Sequence, residues 1–205
     1  MGSHIERMFD MRQAALFASL DEPVTLVSEG GDVSFFPGFL PFDEGDALAA
    51  ELLATTRFRA DSRVMYGKLV AVPRETAGRG DGMDQPWTPL LLVVRARIEA
   101  LLGTGFDYVF VNRYRNGNDS VAWHGDREAD GRTIASLSLG ATRTFDLRPM
   151  SASGLKPRTI PIDLAHGDLL VMGGETQRNW EHRVRKDPRV REERINLTFR
   201  QHRPR

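Results

Sequence analysis

The sequence contains no cysteine, and that one absence removes disulfide bridges, iron–sulfur clusters and thiolate zinc sites together. A metal, if one is bound, is left to His, Asp and Glu. Long apolar runs are missing as well. Stretches such as 90–94 and 169–172 fall far short of the roughly 20 residues a membrane-spanning helix needs. The first residues carry acids and an early arginine rather than a basic start followed by an apolar segment, which is not the pattern of a secretory signal. With the lack of cysteine, this leads to the expectation of a cytoplasmic protein. Internal repeats, low-complexity tracts and long linkers are also absent, so the 205 residues read as one continuous unit with a single sizeable core. No oligomerisation signal stands out, and a monomer is expected.

Net charge is lacking too, since 28 Lys and Arg balance 28 Asp and Glu. The distribution is nonetheless uneven. Residues 1–50 hold nine acids against two bases, whereas residues 176–205 hold ten bases against four acids. A basic final segment fits either a solvated surface or a phosphate-contacting face on a nucleic-acid binder.

In the first half, Phe42-Asp43-Glu44-Gly45-Asp46 precedes a dense apolar stretch over 47–54, with the acids where a helix dipole favours them. A second helix is predicted from Thr88-Pro89, an N-cap and first-turn pair, through residues 90–102 to a stop at Gly103. The second half reads as strands. Residues 107–115 alternate, with Tyr108, Phe110, Asn112 and Tyr114 on one face, and end in the turn Asn116-Gly117-Asn118-Asp119. Further strands are predicted around 120–124, 133–139, 143–148, 158–162, 168–172 and 195–201. Short strands separated by Gly, Pro and Asp turns, with helices confined to the front, predict an α+β, mainly β protein: a double-stranded β-helix, or jelly roll, backed by N-terminal helices.

Five histidines are present, and two of them open the same tripeptide: His124-Gly125-Asp126 and His166-Gly167-Asp168. On an extended segment, residues two apart point the same way, so either pair places an imidazole and a carboxylate on one metal. Non-haem Fe(II) oxygenases use two His and one carboxylate on one octahedral face, leaving three positions open. The third ligand then comes from another strand. With His124 and Asp126 as the pair, His182 follows several strands later, as a ligand from the far side of a jelly roll does. With His166 and Asp168, the chain returns after one short connection. The first assignment fits the architecture better, and leaves His166 and Asp168 as turn residues opening the strand at 169–172.

Alternation in Arg194-Ile195-Asn196-Leu197-Thr198-Phe199-Arg200 puts Ile195, Leu197 and Phe199 on one face and Arg194, Asn196, Thr198 and Arg200 on the other. Two guanidiniums inside a barrel are costly unless they meet carboxylates. A dicarboxylate such as 2-oxoglutarate supplies them through bidentate, charge-assisted hydrogen bonds.

In their order and approximate spacing, Asn112-Arg113-Tyr114, His124-Gly125-Asp126, Gly167 to Met172, His182 and the closing Arg-x-Asn-x-Thr-Phe-Arg resemble the AlkB family of alkylated-nucleic-acid dioxygenases over residues 35–202. The resemblance implies Fe(II) bound by His124, Asp126 and His182, with dioxygen and 2-oxoglutarate as cosubstrates. It implies Arg194 on the distal carboxylate of 2-oxoglutarate, Arg200 near its other end, and supporting hydrogen bonds from Asn112, Tyr114 and Asn196. Residues 1–34 are then an N-terminal extension, and 35–205 one dioxygenase domain with a nucleotide-recognition lid near 62–85. In that lid Tyr66 stands where an aromatic ring stacks on an extracted base, and Arg74 and Arg79 are placed to reach phosphate or base. The implied function is oxidative dealkylation of N-alkylated or etheno-adducted bases in DNA, with RNA as a further partner. Its rivals are a dioxygenase acting on a protein or small molecule and a catalytically silent nucleic-acid-binding module. One departure is plain. The better-known repair members carry an acid directly after His-x-Asp, whereas this chain has Arg127 and then Glu128. A cationic methylated base is not drawn to Arg127, which points toward neutral etheno adducts or toward Glu128 taking over the contact.

Overall fold

The computed structural model describes residues 23–65 and 68–202. Among these residues twelve strands form two antiparallel sheets. The larger has the order β1-β2-β10-β7-β12-β5-β4-β3 and the smaller β6-β11-β8-β9. In the large sheet, the edge is β1 (Val24–Val27) and β2 (Asp32–Phe36), and the centre is β10 (Leu169–Gly173), β7 (Ile134–Gly140), β12 (Arg194–Arg200) and β5 (Tyr108–Tyr114). The far side is the hairpin of β3 (Arg59–Met65) and β4 (Lys68–Gly80). The small sheet holds β6 (Val121–His124), β11 (Trp180–Val184), β8 (Arg143–Pro149) and β9 (Ile160–Leu164). Helices α1 (Phe42–Thr55) and α2 (Pro89–Leu102) cover the large sheet, and a single-turn helix α3 (Thr176–Asn179) precedes β11. This is the expected jelly roll backed by helices.

Two apolar clusters make three layers. Leu48, Leu52, Leu91 and Ile98 of the helices pack on Val109, Val111, Leu137 and Leu197 of the large sheet. Between the sheets, Ile134, Leu170 and Met172 meet Phe145, Leu147 and Ile162. Strands β7 and β10 give alternate residues to both clusters, whereas β12 gives Ile195, Leu197 and Phe199 to the first alone and turns a buried polar face to the space between the sheets, so all three read as almost continuously buried. Helix α2 begins at Thr88, whose hydroxyl accepts from the Leu91 amide, and stops at Gly103 in the left-handed region at φ 63°.

The structure differs from the sequence expectation in three places. The extension drawn over residues 1–34 ends too late, because β1 and the start of β2 lie inside it and β2 pairs along its length with β10. Four-residue Val24–Val27 is too short to show a period, and Gly30-Gly31 breaks the pattern. The first half is not purely helical, since β3 and β4 carry Arg, Gly and Pro that disguise a strand. Strand β11 was not anticipated because its outward residues Glu181 and Arg183 alternate with only three inward ones. The segment near 62–85 is largely the β3–β4 hairpin. From Glu75 to Gly80 β4 pairs with β5, whereas Lys68 to Ala71 pairs with β3 alone, so the distal half is a two-stranded ribbon.

Candidate metal centre

His124 and His182 stand directly opposite one another on β6 and β11. Between this pair and Val184 opposite Val121, β6 has one residue more than β11. The bulge turns both Val121 and His124, three apart in sequence, to the space between the sheets. The His124 Nδ1–H donates to Ala122 O at 2.9 Å, which leaves Nε2 free to face Asp126. Gly125 follows because a Cβ there would lie 2.8 Å from Met150 Cε and 3.2 Å from Gln177 O. The chain then places Asp126 with its carboxylate 3.9 Å from His124 Nε2 and 3.8 Å from His182 Nε2. Among the described residues, these three offer ligand atoms within 4.8 Å of one another.

The electrostatics suit a cation. His182 is buried against Phe145, whose ring stacks on it at 5.1 Å. Burial, aided by His124, Arg200 and Arg74 and opposed by Asp126, brings its imidazole pKa down to about 3. It is therefore neutral, the form in which histidine ligates. Burial pushes the Asp126 carboxyl up, but Arg200 and the two histidines outweigh it and hold the group below the ordinary carboxylate range. One Asp126 oxygen receives Arg200 at 2.7 Å, and the other guanidinium nitrogen of Arg200 pairs with Glu128 at 2.6 Å.

Beside this trio lies a cavity of about 500 Å³. Arg194 projects into it, 2% exposed. Its guanidinium donates to Ser138 Oγ at 2.9 Å and lies 5.3 Å from the Tyr114 ring, but Nε and the other terminal nitrogen have no partner among the described residues. Burial brings its pKa down to about 10, with Tyr114 opposing, so it remains charged at neutral pH. A buried cation with unpartnered donors is costly alone and fits a carboxylate. Asn112 Oδ1, also buried without a partner, lines the same space. Asn196 lines it too, though its amide donates to Ser136 Oγ and Leu137 O, which fixes it to β7.

The remaining sequence-selected residues separate. Arg74 lines the cavity, with Nε unpartnered. Glu128 lines it as well, whereas Arg127 is exposed and outside the lining. The 3-10 turn Arg127–Ala129 is the reason, since three residues per turn swing its side chain away from the direction Asp126 takes. Arg79 is buried and spent on Thr55, Thr56 and Pro86, so it is structural rather than a phosphate contact. His166 bridges Gly140 N and Phe42 O, and Asp168 accepts from Gly38 and Ala165, so both close turns. Tyr66 lies outside the described residues. Sequence reasoning missed Gln177, which accepts from the Asp126 amide, and Ser138, whose place opposite Leu137 and Leu139 in 134–140 was readable.

Residues 32–200 match the model of the 2OG-Fe(II) oxygenase superfamily. The human protein named alpha-ketoglutarate-dependent dioxygenase alkB homolog 3 is 38% identical over 186 residues, covering 82% of this chain and 65% of its own length. Mouse DNA oxidative demethylase ALKBH2 is 38% identical over 154 residues, covering 66% of this chain and 64% of its own. The protein of that name from Arabidopsis thaliana is 30% identical over 211 residues, covering 85% and 67%. The chain thus spans just under two thirds of the first two relatives. The solved structure of OsALKBH1 shares the fold, with a TM-score of 0.64 at 18% identity, over 88% of this chain and 100% of that one. The chain belongs to the 2OG-Fe(II) oxygenase superfamily and, within it, to the AlkB family.

Proposed function

We propose that the protein is an Fe(II)- and 2-oxoglutarate-dependent dioxygenase that removes alkyl groups from bases in DNA. The observation that carries this reading is one cavity holding both the His124, Asp126 and His182 trio and a buried Arg194 with unpartnered donors. The trio would hold the metal, and Arg194 the distal carboxylate of 2-oxoglutarate. When bound, Fe(II) and 2-oxoglutarate supply oxidation of a substrate C–H bond by dioxygen, coupled to decarboxylation of the cosubstrate. The resulting N-hydroxyalkyl base collapses to an aldehyde and the unmodified base, so no side chain has to break the C–N bond.

The chain's own contribution is positioning and exclusion. Neutral His182 and the low-lying Asp126 carboxyl leave these two donors ready to ligate without first releasing protons. Phe110 borders both the main cavity and a second groove of about 440 Å³ lined by Arg57 and Arg59 together with Asp84. A flipped base in the cavity with its flanking phosphates on those arginines fits this continuity. Tyr66 and Arg74, in the hairpin near 62–85, are assigned to the base and its phosphates. Glu128, rather than Arg127, is assigned to contact a cationic lesion. The relatives named DNA oxidative demethylase support DNA as the polymer, and we extend the same reading to RNA as a further substrate.

The test is mass spectrometry of oligonucleotides carrying 1-methyladenine, 3-methylcytosine or ethenoadenine after incubation with the protein, Fe(II), ascorbate and 2-oxoglutarate under air. Loss of the adduct mass only when 2-oxoglutarate is present is expected, with methylated bases preferred if Glu128 makes the contact. Succinate formed while every oligonucleotide stays intact would keep the dioxygenase and remove the nucleic-acid substrate.

A further inference from the structure

The Asp126 carboxylate is placed by its backbone, and that backbone is held from outside the trio. Its amide is buried and donates to Gln177 Oε1 at 2.9 Å. Gln177 is itself 1% exposed, and its amide nitrogen rests 3.6 Å from Met172 Sδ, which orients Oε1 toward Asp126. It sits in α3, a single turn tied down on three sides. Thr176 Oγ1 donates to Gly173 O at 2.6 Å at the end of β10 and also accepts from the Asp32 amide at 2.9 Å. The Arg178 guanidinium holds Asp130 at 3.0 Å, on the far side of the 3-10 turn that Asp126 opens. Gly125 lies against the same turn, where an added Cβ would come within 3.2 Å of Gln177 O.

The same turn leads straight into β11 and His182. A rigid element anchored to β2 and β10 therefore connects two of the three ligand-bearing segments, one through a side chain and one through the chain itself. We infer that Gln177 is a positioning residue for the metal site: its hydrogen bond to the Asp126 amide sets the carboxylate's placement relative to His182 Nε2. This rests on the reading of His124, Asp126 and His182 as metal ligands.

The test is Co(II) binding by the full chain, followed through the visible absorption of the bound ion, beside thermal unfolding of the same samples. Q177M keeps the length and the contact with Met172 but has no acceptor for the Asp126 amide. Its Co(II) affinity is expected to fall about tenfold, the lower end for outer partners of metal ligands, with an altered absorption band. Q177E keeps an acceptor oxygen and is expected to restore most of the affinity. R97A, which opens an exposed pair with Glu44 between the two covering helices, is expected to stay near wild type. Should Q177M not fold, Q177N, whose amide is one methylene short of Asp126, carries the same expectation. Wild-type affinity and band in a folded Q177M or Q177N would overturn the inference while leaving the ligand assignment intact. A wild-type chain that binds no Co(II) would overturn that assignment itself, and the inference with it.

Discussion

The two faces of β12 set the same seven residues against opposite requirements. Ile195, Leu197 and Phe199 turn to the helices and are essentially fully buried in an all-apolar layer. Arg194, Asn196 and Thr198 turn to the space between the sheets and are almost as buried, yet they keep polar atoms there. The apolar face contributes stability, at roughly 1.5–3 kcal/mol for each large side chain removed from water. The polar face gives some of it up, since Arg194 holds unpartnered donors in the interior. A protein retains such a face where a ligand satisfies it, and the contrast locates the site without reference to any relative.

Mutations can break that comparison at graded strength. The largest effect is expected from D126A, which removes the carboxylate shared by His124 and His182. No 2-oxoglutarate-dependent product should appear above a control lacking Fe(II), and activity retained in full would contradict the ligand assignment. Next, R194M should raise the KM for 2-oxoglutarate about ten- to a hundredfold, corresponding to the roughly 1.5–3 kcal/mol of a hydrogen bond to a charged group. Its thermal midpoint should stay level or rise, because a buried charge without full pairing is replaced by an apolar chain. A large loss of stability with unchanged KM would reverse the roles given to the two faces.

On the other face, L197A should lose about 2–5 kcal/mol in urea unfolding while the folded fraction keeps its KM for 2-oxoglutarate. The smallest effect lies off both faces, in the turn after β5. Burial pushes the Asp119 carboxyl up, but Arg115, which donates to it from backbone and guanidinium, and nearby Arg143 hold it below its ordinary value. Stabilisation from a lowered carboxyl is present above the unfolded value of about 3.9 and is lost as pH falls through the folded one. Wild type and D119N should therefore differ in urea midpoint at neutral pH and converge in acid. A gap that widens in acid would contradict the sign.

Much of this was legible from the chain. Strict alternation in 107–115 and 194–200 announced strands with one apolar and one polar face, and the distance from Asp126 to His182 announced a ligand from another strand. What escaped depended on contacts that period and spacing do not encode. Strand β11 is disguised by Glu181 and Arg183, and β1 is too short to show a pattern. Gln177 acts through a side chain bonded to a backbone amide 51 positions away, a relation with no sequence signature. Which of Arg127 and Glu128 faces the cavity depends on the 3-10 turn that follows Asp126, which leaves Arg127 outside and Glu128 in the lining, and neither the spacing nor the residue types encode that turn.

The most direct test of the account is an anaerobic titration of the Fe(II)-loaded protein with 2-oxoglutarate, following the visible charge-transfer absorption that appears when a 2-oxo acid chelates Fe(II). The account predicts the band in wild type, the same band at about ten- to a hundredfold higher 2-oxoglutarate in R194M, and none in D126A. A band in D126A equal to wild type, or none in an Fe(II)-loaded wild-type protein, would contradict it.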